Sequence, residues 1–248
     1  MLKLDRSHLA RFQSLIALAV MLVGMSLLSD SFLTMENGLN ILRQISVNLC
    51  LSIGMTLIIL TAGIDLSVGA ILALSGAVAA GLLKNGIRLE LLGVELQFTV
   101  LGSIAAGLLV GAAAGFFNGV TITRFKLPPF VATLGMFSIA RGLTMLWTGG
   151  FPVTGLGPTF GAIGTGVFLG IPVPVWITAS LVGVFVLLTR RTRFGRHIYA
   201  VGGNERAALL TGLRVHRIKV AVYTLGGMLA GVAGLIVTAR LDSAQPNA

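Results

Sequence analysis

Few residues in this chain could do chemistry, and their spacing limits what that chemistry is. Asp65, in the stretch TAGIDLSVGA (61–70), is the one charged residue between Arg43 and Lys84. Arg141 stands equally alone between Lys126 and Arg190. Gln44, Asn48, Ser52 and Thr56 recur every four residues, which keeps uncharged polar groups on one slowly drifting helix face. Such a face either bonds to another helix or lines an aqueous path. Bond-making signatures are missing. The sequence has no GxxxxGK[ST] phosphate loop, no HExxH, no GxSxG and no Cys/His cluster of metal-ligand spacing. No catalytic residue, resident cofactor or metal is expected, and the chain is not expected to hydrolyse ATP itself. His8, His197 and His216 fall in segments expected outside the membrane. Cys50 is the single cysteine, so no disulfide forms within the chain, and it is expected to pack as a small hydrophobe.

The elements that carry these residues follow from composition. The chain is 55% hydrophobic and 10% charged, against about 25% charged in a soluble domain. Its apolar runs are continuous rather than alternating, so the fold class is all-α, a polytopic helical membrane protein. A span needs about 20 apolar residues. The charge-free windows predict seven, at 12–29, 41–62, 66–83, 98–120, 128–147, 174–190 and 219–239. The first run is too long for a signal-peptide core and has no A-x-A site after it, so it is read as a true span. The forty residues between Arg43 and Lys84 thus hold two spans, and Asp65 falls at the break. There it is expected to cap the 66–83 helix first and to line a path second.

The net charge of +10 is a topology signal. With the N-terminus in the cytoplasm, the cytoplasmic segments hold Lys3, Arg6, Arg11, Arg124, Lys126, Arg190, Arg191, Arg193, Arg196, Arg206, Arg214, Arg217 and Lys219. The outer segments hold only Arg43, Lys84, Arg88 and Arg240, with Glu90 and Glu95 solvated in an outer loop. The basic residues attract anionic membrane lipid, and no nucleic acid is expected.

Three further patterns stand out. Gly107, Gly111, Gly115 and Gly119 line one side of the 98–120 helix and predict close helix packing, with Gly227, Ala230, Gly231 and Gly234 a weaker version. Residues 148–173, with many glycines and prolines, predict an outer loop holding a short interfacial or re-entrant piece, and Pro128 and Pro129 suit the first turn of the fifth span. Arg141 is expected to snorkel or to pair with a carboxylate or carbonyl groups. The longest cytoplasmic segment, 190–219, predicts a turn at Gly202 and Gly203, an Asn204 cap, a helix from Glu205 to Leu210 with Ala207 and Ala208 exposed, and a stop at Gly212. A short helix there could dock a protein or lie on anionic lipid.

The stretches LTAGIDLSVGAILALSGAVAAGL (60–82), FNGVTITRFKLPPFVATLGMFSIARGLTMLWTGGFPV (117–153) and TRFGRHIYAVGGNERAALLTGLRVHRIKVAVYTLGGMLAGVAGLI (192–236) carry a resemblance, as does the ending ARLDSAQPNA (239–248). Together they resemble the permease subunits of bacterial ABC importers of the ribose and simple-sugar type, within the branched-chain amino-acid permease superfamily. The resemblance implies a single transmembrane permease domain over 1–248, with 190–219 as a cytoplasmic coupling loop. It also implies a multi-pass protein of the bacterial inner membrane. Its partners would be a cytoplasmic ATP-binding subunit carrying ATP and Mg, a periplasmic sugar-binding protein and a second permease copy. GGNERAALLTG resembles the family's coupling segment and places Gly203, Asn204, Glu205, Ala207, Ala208 and Gly212 in contact with the ATPase. Family members continue past SAQPNA with further membrane helices, so the chain is expected to be C-terminally truncated.

The expected function is therefore ATP-driven import of ribose or a similar monosaccharide. Gln44, Asn48, Ser52, Thr56 and Asp65 are the candidate path residues. The alternative is an ion-coupled secondary transporter of a small polar solute, with Asp65 or Arg141 as its buried charged group. A membrane enzyme fails for want of a nucleophile–base or metal constellation.

Overall fold

The computed structural model describes residues 6–89 and 93–246, with side chains from Phe12 onward except those of 88, 89 and 94. Lys3, Glu90 and the terminal 247–248 lie outside the described residues, as do the side chains of Arg6, His8, Arg11 and Arg88.

Helix α1 (Arg6–Leu28) and the turn after it lead into α2 (Met35–Leu60). The chain forms two compact units, 1–42 and 43–248. In the first, Asn37 Nδ2 donates to Phe32 O at 2.8 Å and fastens the turn that opens α2.

The second unit holds the rest. It continues through α3 (Val68–Asn85), the ribbon β1 (Ile87–Leu89) with β2 (Val94–Leu96), α4 (Val100–Arg124) and α5 (Pro129–Thr148). Then come β3 (Val153–Thr154), the short α6 (Pro158–Thr165), and β4 (Val167–Phe168) with β5 (Ile171–Pro172). It ends with α7 (Val173–Arg191), α8 (Arg193–Gly203), α9 (Glu205–Leu210), α10 (Val215–Leu241) and β6 (Ser243–Ala244). Among the described residues six helices are long and apolar enough to cross a membrane, and Phe12–Leu28 is a seventh, shorter apolar stretch. Each of the seven predicted spans falls on one of these helices. Among the described residues the all-α reading gains three two-stranded antiparallel ribbons.

Helices α3 and α10 are the most buried spans, and both pack on α4. Association between membrane helices has little hydrophobic drive, so close backbone approach and dispersion must supply it. The sequence provides for this with glycine. A Cβ on Gly111 would stand 2.5 Å from Gly227 O, one on Gly119 2.7 Å from Val220 Cα, and one on Gly107 2.9 Å from Ser75 O. A Cβ on Gly115 would meet Tyr223 O closer still. The other side of α10 approaches α2, where a Cβ on Gly54 would lie 3.2 Å from Gly226 Cα.

Helix ends follow local chemistry. Pro129 opens α5, where the missing N–H costs nothing, and Gly149 closes it in the left-handed conformation. At the end remote from α9, β3 pairs with β6, and Asp242 Oδ1 accepts from Leu156 N at 2.8 Å. The Lys84 ammonium donates to Gly155 O, and Trp147 Nε1 donates to Ala77 O at 3.0 Å. Residues 148–173 therefore form a folded cap containing one short helix, α6, with Phe160 fully buried.

One expectation needs correction. Asp65 does not cap α3. The helix starts at Val68, Ser67 takes the N-cap position, and Asp65 Oδ1 accepts instead from Ser67 N at 2.8 Å and Ser67 Oγ at 2.5 Å. A carboxylate two residues before its donor closes an Asx turn more readily than it reaches the next helical N–H groups. Of the alternatives for Arg141, no carboxylate pair is found among the described residues. Its guanidinium lies 5.9 Å from the ring centre of Phe137, one turn back on α5.

Candidate functional site

Three features of the second unit bear on function. The first is the 190–219 segment. Thr192 caps α8 by accepting from Gly195 N at 3.2 Å. Gly202 and Gly203 form the last residues of α8 rather than a free turn, and the chain breaks at Asn204, in extended backbone. Helix α8 was not legible as a separate element, because its glycines suggested a turn where packing holds a helix. Gly202 is pressed against the carbonyl of Leu60, so that no Cβ would fit. A glycine lets α8 abut the last residue of α2.

Asn204 Oδ1 accepts from Ala207 N at 3.0 Å and starts α9. Gly212, at φ +83°, ends that element in a conformation that disfavours other residues. Glu205, Arg206, Ala207, Leu209 and Leu210 are exposed, Leu210 at 90%. Ala208 is not. It is 4% exposed and packs with Val215, Ile218 and Val222, since position 208 faces α10 while 207 faces away. The expected two-alanine face is therefore a one-alanine face. The sequence reading also missed Lys219, whose Nζ lies 2.7 Å from Glu205 Oε2. Beside this pair, a cleft of about 570 Å³ separates α9 from the turn between α4 and α5, lined by Lys126, Pro128, Leu209 and His216 among others.

The second feature is α2. Gln44, Asn48, Ser52 and Thr56 are all exposed on one face, and Thr56 Oγ1 satisfies itself on Ser52 O at 2.6 Å. A groove of about 250 Å³ runs between this helix and α7, lined by Ser52, Thr56, Leu57, Phe185 and Thr189. The opposite side of α2 is buried. Cys50 is fully enclosed, its Sγ 3.4 Å from Thr178 Oγ1.

The third is the turn 61–67 between α2 and α3. Asp65, Ser67, Asn118 and Thr133 are each at most 2% exposed. Asn118 Nδ2 donates to Ser67 Oγ at 2.9 Å, and Leu66 N donates to Thr133 Oγ1 at 3.2 Å. Tyr223 donates its hydroxyl to Ile64 O at 3.3 Å. Three helices thus hold one turn. Burial pushes the Asp65 carboxyl above the usual carboxylate range, and the two Ser67 bonds oppose that. Asp65 is therefore not brought together with Gln44, Asn48, Ser52 and Thr56. It is buried in the bundle, whereas they lie on an open face.

Among the described residues no cluster of His, Cys, Asp and Glu could hold a metal ion.

Comparisons with known proteins fit this architecture. The family model described as branched-chain amino acid transport system, permease component, matches residues 37–248. The ribose import permease protein RbsC of Escherichia coli (strain K12) is 46% identical over 247 residues, 98% of this chain and 74% of that protein. RbsC of Bacillus subtilis (strain 168) is 47% identical over 236 residues, 94% of this chain and 70% of that protein. The D-allose transport system permease protein AlsC of Escherichia coli (strain K12) is 40% identical over 234 residues, 94% of this chain and 68% of that protein. No solved structure matches the chain significantly.

Proposed function

Since the chain belongs to the branched-chain amino acid transport system permease family, we propose that it is the transmembrane permease subunit of an ATP-driven importer for ribose or a similar monosaccharide. It lies in the bacterial inner membrane with its N-terminus in the cytoplasm, as the distribution of basic residues favours. Without a phosphate loop of its own, the chain leaves ATP and Mg to a separate cytoplasmic subunit. A periplasmic sugar-binding protein delivers the sugar to the opposite end. Family membership removes the motive for an ion-coupled mechanism, which has no use for a docking helix.

The supporting observation is α9. A six-residue helix with most of its surface exposed and one alanine anchored is shaped to seat another protein. Glu205, Ala207 and the Gly203–Asn204 corner meet the ATPase, Ala208 holds the helix to α10, and Gly212 releases the chain. When the ATPase subunits close, α8 and α9 move as a rigid piece. Gly202 against Leu60 passes that movement to α2.

Helix α2 carries the path. A neutral polyhydroxylated sugar needs hydrogen-bonding groups without charge, and Gln44, Asn48, Ser52 and Thr56 supply them. Polar side chains do not face lipid tails, so a second permease copy closes this face and the path runs between the two. Asp65 serves the fold rather than the path.

The test uses proteoliposomes holding the assembled transporter. Glu205→Arg is expected to abolish ribose uptake and sugar-stimulated ATP hydrolysis, with membrane insertion unchanged. Uptake at the unsubstituted rate would overturn the docking role of α9.

A further inference from the structure

The Asp65 turn holds two buried oxygens with no partner. Asp65 Oδ2 and Asn118 Oδ1 are both buried and neither makes a hydrogen bond. The residues that carry them are 2% and 1% exposed. Both groups hang on the same hydroxyl: Ser67 Oγ donates to Asp65 Oδ1 and accepts from Asn118 Nδ2. Each side chain has spent one end on Ser67 and presents a bare acceptor with the other.

Two acceptors cannot satisfy each other, and a buried carboxylate without a cation is costly. Among the described residues, the groups bonded to or packed on the turn supply no cation. Asn118 comes from α4, Thr133 from α5 and Gly202 from α8, and none of them titrates. Among the described residues that touch the turn, Tyr223, from α10, is the titratable one, and its proton is committed to Ile64 O. What is missing is a hydrogen on one of the oxygens.

We propose that the Asp65–Asn118 pair is a proton-binding site, in which Asp65 carries a proton on Oδ2 at neutral pH and is uncharged while the turn is packed. The neutral acid turns a bare acceptor into a donor, in a cluster whose other bare atom, Asn118 Oδ1, is an acceptor. The turn can then sit between α4, α5 and α10 without burying an ion. Ionisation favours leaving that packing for water, so the proton holds the α2–α3 turn shut. The proton comes from and returns to the nearby aqueous phase, and none needs to cross the membrane. This inference stands on the cluster's geometry and is independent of the transported solute.

The sign of the pH dependence follows. A carboxyl that binds its proton more tightly in the folded state stabilises the fold most at low pH. That stability is lost as pH rises from about 4, the unfolded carboxylate value, through the raised folded value. Asp65→Asn, which is neutral at every pH and keeps a donor, removes this slope.

The test is infrared difference spectroscopy of the whole chain in nanodiscs at pH 7, with thermal unfolding across pH. The expected result is a carboxylic-acid C=O band that shifts in D2O and is lost in Asp65→Asn, whose melting temperature no longer falls with pH. Should Asp65→Asn fail to fold, the unsubstituted chain still decides, because it must show the band at pH 7. Absence of the band overturns the proposal in favour of an ionised carboxylate. So does a melting temperature that depends on replacing potassium by sodium at constant ionic strength, which would mark a metal-cation site.

Discussion

Gly107, Gly111, Gly115 and Gly119 on α4 and Gln44, Asn48, Ser52 and Thr56 on α2 share a spacing of four residues and meet opposite surroundings. The glycines lie against the backbones of α10 and α3, with no room for a methyl group. The polar four lie open on the outside of the chain, and the tight side of α2 is the other one, at Gly54 and Cys50. A period of four fixes only which residues share a face. Side-chain size then decides whether the face can be sealed within one chain. Glycine seals because it brings backbones together. Amides and hydroxyls leave a face that needs water or a partner.

That contrast can be broken by substitution. Gly111→Leu forces a side chain into the Gly227 carbonyl. Overpacking a core costs about 1–3 kcal/mol, and a clash with backbone lies at or above the upper end. A large loss of yield and melting temperature is expected in detergent, and a normal melt would show that the seam is looser than described. Asn48→Leu should do the reverse: uptake falls at least tenfold while the melting temperature stays put, because an exposed surface change costs within about 0.5 kcal/mol. A destabilised Asn48→Leu would mean that the polar face is internal packing. Tyr223→Phe removes only the hydroxyl bond to Ile64, worth about 1 kcal/mol, and should show as a small drop in melting temperature with uptake retained. The smallest effect belongs to Gly142→Ala on α5, where nothing lies within 4 Å of the new methyl. Removing a helical glycine there should leave stability unchanged or raise it by up to about 1 kcal/mol.

The spans were legible because a membrane helix must be long, apolar and free of charge, and each of the seven segments meets a helix. The α9 helix was legible because Asn204 and Gly212 are local signals that act within a few residues. What escaped depends on contacts distant in sequence. Ala208 is buried only because α10 returns beside α9. Lys219 reaches Glu205 across fourteen residues. Asp65 shows the limit most clearly. Its isolation marked it as special, but the side chains that hold its turn, through Ser67 and Leu66, come from α4 and α5, more than fifty residues away, and no local pattern announces Asn118 or Thr133.

The central claim, that α9 seats the ATPase with its outer face, has a direct test in site-specific cross-linking. Cys50 is the chain's single cysteine and is fully buried, so it stays silent. A cysteine introduced at Ala207 should cross-link to the ATPase subunit in membranes, and the yield should change when ATP is added. One introduced at Ala208, turned toward α10, should not. Cross-links from Ala208→Cys, or none from Ala207→Cys in a complex that still co-purifies with its ATPase, would contradict the account.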